Sequence, residues 1–137
     1  MAYWLVKTEP NSWSWQQQLE AGTTFWDGVR NRQATNNLKA MAVGDRVFFY
    51  HSGSERRIVG IVEVVRAFYP DPADPTGSFG MVDLGVVEAL PRPVRLAEIK
   101  ETAALAGIAL VRQGRLSVMP IDDEAWRVLC AMGGAQV

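Results

Sequence analysis

Two apolar runs in the middle of the chain, residues 46–51 (RVFFYH) and 58–67 (IVGIVEVVRA), are separated by only a few polar residues. Both are rich in β-branched and aromatic side chains, which suit a pleated, half-buried surface. Ser52-Gly53-Ser54 marks a turn between them, far too short for the crossover that parallel strands need. A third run, residues 81–88, alternates with Val82, Leu84 and Val86 on one face. Strands joined this closely favour an antiparallel sheet or small barrel over a doubly wound parallel sheet.

Residues 3–7 read as a first strand, stopped at Glu9-Pro10. Ser12 or Ser14 can cap a short helix through Leu19, Ser14 with Gln17 matching a capping box, and Gly22 ends it. Residues 26–31 are expected in a loop, and residues 33–41 have helical spacing at Ala34, Leu38 and Met41. Residues 69–80, crowded with proline, aspartate and glycine, read as an irregular loop. Pro91 and Pro93 are expected to end the strand that begins at Met81. Residues 96–105 have a helical pattern that Gly107 interrupts, and residues 117–120 suit a short strand. Asp122 is a natural N-cap for a last helix whose acidic first turn, Asp123 and Glu124, suits the helix dipole. The expected fold is one α+β domain over residues 2–134, since 137 residues can build a core without disulfide or metal staples.

A net charge of −1 argues against a long duplex footprint, because binding driven by counterion release favours a basic surface. A pocket for one nucleotide with a local basic rim fits that charge, as does a free small molecule. With 48% hydrophobic residues, the chain still has no apolar run of membrane-spanning length. It also lacks the basic start and apolar stretch of a signal peptide, and the lone Cys130 suits a reducing compartment. The expectation is a cytoplasmic protein, monomeric and free of the membrane. One histidine and one distant cysteine cannot build a structural zinc site, and phosphate loops of the Walker or dinucleotide type are absent, so no metal or cofactor is expected. Cys130 falls on the apolar side of the last helix, where packing is its expected role. Gly60, inside a strand, marks a bulge or the close approach of something flat, the bulge being the commoner cause.

The chemistry concentrates in Trp26-Asp27-Gly28-Val29-Arg30-Asn31. An indole for stacking is followed by a carboxylate, a guanidinium and a carboxamide, the groups that hold a flat polar ring by its face and edge. The plain structural alternative is that Asp27 or Asn31 merely satisfies a buried indole N–H. Trp4 and Trp126 are expected to pack, and Trp13 and Trp15 to staple the first helix to the sheet. Tyr50-His51-Ser52 sets three hydrogen-bonding side chains at a strand end. His51 could serve as a general base oriented by Glu9 or Asp27, but no nucleophile lies nearby and a hydrogen-bonded rim role is favoured. Arg112 and Arg115 flank Gly114 in a second polar island that ends at Ser117; two guanidinia so placed can cradle a phosphate or simply face solvent.

Four motifs together resemble the EVE domain: the segment Tyr3-Trp4-Leu5-Val6-Lys7-Thr8-Glu9-Pro10, the Trp26 segment, Val43-Gly44-Asp45 with Phe49-Tyr50-His51-Ser52, and Arg112-Gln113-Gly114-Arg115-Leu116-Ser117. They run in family order from about residue 2 to about residue 132. The resemblance implies a PUA-like pseudobarrel of mostly antiparallel strands surrounded by short helices, related to YTH and ASCH domains. It also implies recognition of modified bases, in RNA for YTH relatives and in DNA or RNA for EVE proteins. By resemblance Trp26 takes the place of a cage tryptophan, Glu9 after Lys7-Thr8 that of a polar pocket residue, and Asp27 that of a further polar contact. The chain departs from longer family members at residues 69–81, where the loop is short and Phe79 stands where a tryptophan is often found.

The expected function is therefore readout, without chemistry, of a methylated or oxidised cytosine- or adenine-type base in single-stranded or flipped DNA or RNA. The expected pocket comprises Trp26, Asp27, Glu9, Lys7, Thr8, Asn31, Tyr50, His51, Ser52 and Phe79. Arg30, Arg112, Arg115 and Ser117 would hold flanking phosphate or form the rim of the pocket. The rival expectations are a small hydrolase or nuclease working through His51 with Glu9 or Asp27, and a binder of free nucleotides.

Overall fold

A computed structural model describes residues 1–136. In chain order the elements are β1 (Tyr3–Thr8), α1 (Trp15–Ala21), β2 (Thr23–Trp26), α2 (Arg32–Ala40), β3 (Arg46–His51), β4 (Arg57–Pro70) and β5 (Gly80–Arg95). There follow α3 (Leu96–Glu101), a 3-10 turn (Ala103–Leu105), α4 (Ala109–Arg112), β6 (Val118–Ile121) and α5 (Asp123–Gly133). The strands form one sheet in the order β2-β5-β4-β3-β1-β6, whose ladder does not close. β3 and β4 pair antiparallel, as their short turn requires, and β4 pairs antiparallel with β5. β1 lies parallel to β3, the arrangement a short turn forbids; residues 9–45, carrying α1, β2 and α2, supply the crossover. The α+β, mostly antiparallel architecture is the expected one.

β3 is buried on both faces, and its alternation assigns a different partner to each. Phe48 stacks on Trp126 of α5 at 4.0 Å between ring centroids, and Trp126 in turn stacks on Tyr3 at 4.3 Å. Phe49, on the other face, meets Trp15 and Trp26 edge-on at 5.1 and 5.5 Å. Such aromatic pairs contribute roughly 0.5–1.5 kcal/mol each beyond the area they bury. Trp4 is buried, and its indole N–H donates to the Asp45 carboxylate at 3.0 Å.

Helix ends follow the local signals. Ser14 and Gln17 form the reciprocal capping box, and Gly22 closes α1 with φ +75°. Asp122 caps α5 by accepting from the Ala125 N–H at 2.8 Å. Gly60 does sit at a register shift between β3, β4 and β5, and the flat object is also present: a Cβ on Gly60 would collide with the Trp15 ring. Here the bulge and the close approach are one feature, since Trp15 seats α1 on the sheet through the gap that the glycine leaves.

Three expectations need correction. Residues 23–26 form the edge strand β2, so Trp26 ends a strand and only residues 27–31 are loop; the alternation of Thr24 and Trp26 toward the core is the period of two. Pro91 and Pro93 do not end β5, which runs on to Arg95. In the β4–β5 ladder the register shifts between Ile58, which pairs with Val94, and Gly60, which pairs with Ala89, so residues 90–93 have no ladder partner on β4. β2 stops short of them, and the two prolines interrupt no ladder bond. The helix at 96–105 breaks after Glu101, where the Thr102 N–H bonds back to Ile99 and the chain tightens into the 3-10 turn.

Cys130 is buried against the core, and burial followed by the nearby Glu88 carboxylate pushes its thiol up to about 11. The thiol form is inert. The folded protein is expected to resist alkylation by iodoacetamide at pH 8 and to react fully in guanidinium; rapid reaction in the native state would contradict this placement. No helix among the described residues is long and apolar enough to cross a membrane.

Candidate functional site

β1, the segment leading into α1, and β2 with its following loop converge on a cavity of about 510 Å³. Its lining comprises Lys7 and Thr8, Ser12 and Trp13, the run from Thr24 to Arg30, and Ser117. That volume lies within the usual range for small-molecule pockets. Trp26 forms an inner wall: it is 8% exposed, its back held edge-on by Phe49. Its indole N–H has no hydrogen-bond partner among the described residues, so neither Asp27 nor Asn31 serves it structurally.

Trp13 is fixed by a relay into the sheet. Its indole N–H donates to the Gln18 side chain at 2.9 Å, and fully buried Gln18 donates to the Leu84 carbonyl at 3.1 Å. The Thr8 hydroxyl donates to the Trp13 carbonyl at 2.9 Å, tying the same residue to β1. The site thus has two indoles held by independent means. Lys7 donates to the Gly114 carbonyl at 2.9 Å, which joins β1 to the 113–117 loop. Burial lowers its ammonium from the ordinary lysine value. Asp27 and Gly28 are exposed at the mouth, Gly28 turning the chain with φ +76°. Arg30 reaches away from the cavity floor: it pairs with buried Asp71 at 3.3 Å and lies over the Phe79 ring at 5.0 Å. This ties the mouth to the 71–79 loop.

Of the expected site residues, the structure brings Lys7, Thr8, Trp26, Asp27, Arg30 and Ser117 together in the cavity and leaves the rest outside its lining. Asn31 is the N-cap of α2, its side-chain oxygen accepting from the Ala34 N–H at 2.9 Å. Tyr50 alternates to the face opposite Phe49 and is 2% exposed, with Lys7 above its ring at 5.7 Å. Glu9 lies over Gly53, where a Cβ would collide with its carboxylate. The Ser52 N–H bonds to the Thr8 carbonyl at 2.9 Å. Phe79 is covered by Arg30. Arg112 ends α4 facing solvent, and Arg115 lines a smaller neighbouring depression with Asn31, Gln33 and Gln113.

His51 has both ring nitrogens engaged. Nε2 accepts from the Trp15 N–H at 2.9 Å, which sets the neutral tautomer with Nδ1–H donating to Glu55 at 2.8 Å. Its carboxylate partner is therefore Glu55, held below the usual range by that His51 hydrogen bond first and by Arg57. Neither Glu9 nor Asp27 orients it. Among the described residues no three His, Cys, Asp or Glu side chains converge as a metal site.

Sequence reading missed Ser12, Trp13, Thr24 and Phe25. The signal for β2 was present in the β-branched and aromatic run TTFW. Nothing local distinguishes Trp13 from Trp15; only the packing sends one to the cavity and the other onto Gly60.

Comparison with known proteins places this chain in a family. The EVE domain model matches residues 2–132. Thymocyte nuclear protein 1 from chicken is 35% identical over 89% of this chain, and the human protein 33% identical over 90%. The chain spans 64% of the chicken relative and 70% of the human one. A Rhodopseudomonas palustris protein solved by NMR superposes with a TM-score of 0.93 at 48% identity, covering 98% of this chain and 94% of that one. The crystal structure of human THYN1 protein in complex with DNA containing 5-methylcytosine superposes with a TM-score of 0.89 at 31% identity, both chains covered in full. An ASCH protein from Zymomonas mobilis, 12% identical, shares the fold at a TM-score of 0.60 over 98% of this chain and 97% of that one. With the family model spanning nearly the whole chain and its cavity lined by the Lys7-Thr8 and Trp26-Asp27 motifs, the protein belongs to the EVE domain family.

Proposed function

We propose that this protein binds nucleic acid by reading one modified base in the Trp26 cavity, without covalent chemistry, and that 5-methylcytosine is the first base to test. The observation that carries this reading is the cavity of about 510 Å³ in which Trp26, Lys7 and Asp27 meet. A base edge has both donors and acceptors, and the cavity offers the complement of a cytosine edge. The Asp27 carboxylate accepts from an exocyclic amino group, and the Lys7 ammonium donates to ring acceptors. The DNA ligand of human THYN1 supports the same class of partner. The net charge of −1 favours a single-base contact over a long duplex track. A base in a single strand, or one already flipped, avoids the unstacking energy of a few kcal/mol.

Titration by fluorescence anisotropy against short single-stranded DNA and RNA tests the proposal. The oligonucleotides differ only in carrying cytosine, 5-methylcytosine, adenine or N6-methyladenine at one position. One methyl group in an apolar pocket discriminates by roughly 10- to 200-fold. Preference of about ten-fold or more for a modified base is expected, with the oligonucleotide recovered intact. Equal affinity across the panel would overturn the reading.

A further inference from the structure

Phe25 is the bare aromatic of this molecule. It is 58% exposed and lines the mouth of the cavity beside Trp26. The other large exposed apolar side chains, Met1, Leu19, Val43 and Val65, line no part of it. Each of the remaining Phe and Tyr rings lies against another ring or a cation, as Phe79 does under Arg30 and Tyr69 under Arg66. Phe25 has no such partner among the described residues. Its surroundings keep it uncovered. On the same outer face of the sheet Gly85 presents no side chain, and Asp83, paired with Phe25 across β2 and β5, accepts from the Tyr69 hydroxyl. The backbone of Phe25 is nevertheless rigid, because β2 is laddered to β5 from Thr23 to Trp26.

A fixed, uncovered phenyl at the mouth of a base-sized cavity has a specific physical use. A base entering the cavity leaves its stacked neighbour exposed on one face, and an apolar ring placed there restores the lost stacking. Consecutive residues of a strand point to opposite faces, so Trp26 turns into the cavity while Phe25 turns out beside it. One dipeptide can then engage two successive nucleotides. We infer that Phe25 stacks on the nucleotide flanking the base read by Trp26, which makes the ligand a polymer of at least two nucleotides rather than a free nucleoside. The inference rests on the base-reading function proposed above.

The test compares two probes with the full chain: a single-stranded DNA heptamer carrying one 5-methylcytosine, and free 5-methyl-2′-deoxycytidine. Base–aromatic stacking is strong enough for Phe25→Ser to weaken heptamer binding by about ten-fold or more while weakening nucleoside binding far less. Phe25→Trp should retain the heptamer affinity. A heptamer with an abasic site beside the modified base should bind the native protein as weakly as the intact heptamer binds Phe25→Ser, and that variant should not sense the abasic site. Because Phe25 is exposed, circular dichroism should show both variants folded. If the native protein selects the modified heptamer but Phe25→Ser and the abasic flank have no effect, the stacking role is wrong and base reading stands. If neither modified probe is preferred over its unmodified form, base reading fails, yet the Phe25 and abasic arms still report on stacking. Should Phe25→Ser change only the sedimentation coefficient of the protein, the ring serves contact between copies and the inference is overturned.

Discussion

Trp26→Ala is expected to remove the preference for a modified base altogether and, at the same time, to lower stability by about 3–5 kcal/mol, the usual range for deleting a buried aromatic. Both effects follow from one placement. The inner part of the ring is core, 8% exposed and held edge-on by Phe49 at 5.5 Å, while its other surface lines the cavity. Trp26→Phe separates the two, because a phenyl still packs on Phe49 but offers less stacking area and no N–H. That variant should stay within about 1–2 kcal/mol of the native protein in urea denaturation and lose most of its selectivity in the oligonucleotide titration. Full selectivity in a folded Trp26→Phe protein would show that the indole is only structural.

Asp45→Ala is expected to produce the second large effect, a loss of about 3–5 kcal/mol and a fall in Tm on the order of 10 °C. The Asp45 carboxylate is buried and accepts from the Trp4 indole N–H at 3.0 Å, the Ala42 N–H at 2.9 Å and the Ala2 N–H at 3.1 Å. Removing it strands the Trp4 donor in the interior. Burial alone would push the carboxyl up, but the donors from Ala42, Trp4 and Ala2 outweigh it and hold it below the ordinary carboxylate value. A carboxyl lowered in the folded state stabilises fully above its unfolded pKa. That contribution is lost as the pH falls through the folded value, on the acid side of about pH 4. Melting curves from pH 2 to pH 6 should therefore show a shallower acid limb for Asp45→Asn than for the native protein. The slope that remains comes from Glu55, Asp74 and Glu98, whose carboxyls are also lowered. An unchanged acid limb would mean that Asp45 is not ionised in the native state.

Neither effect can be read from the identity of the residue alone. Val43-Gly44-Asp45 looks like a turn in the sequence, and Trp26 looks like the first residue of a polar loop. The acid becomes structural because β1 and β3 lie parallel, which brings Trp4 beside the start of β3. The same applies to His51. Its neighbours Tyr50 and Ser52 suggest a polar rim, but it is Trp15, brought over the sheet by α1, that occupies its acceptor nitrogen.

Elements whose cause lies within a turn or two of chain are legible in the residues themselves. These are the Ser14–Gln17 box, the Asp122 cap, the short turn that pairs β3 with β4, and the four motifs of the EVE domain. The sequence also marked Lys7, Thr8, Trp26, Asp27, Arg30 and Ser117 as site residues, and these share the cavity. That Trp13 and Phe25 join them in the lining, while Glu9, Asn31, Tyr50, His51, Ser52, Phe79, Arg112 and Arg115 do not, follows from how the elements pack. The reason is physical: caps, turns and alternation act between neighbours along the chain, whereas a cavity wall is made where β1, the start of α1 and β2 converge. Which face of each residue survives uncovered there depends on packing by Phe49, Gln18 and Gly85, none of which lies beside it in the chain.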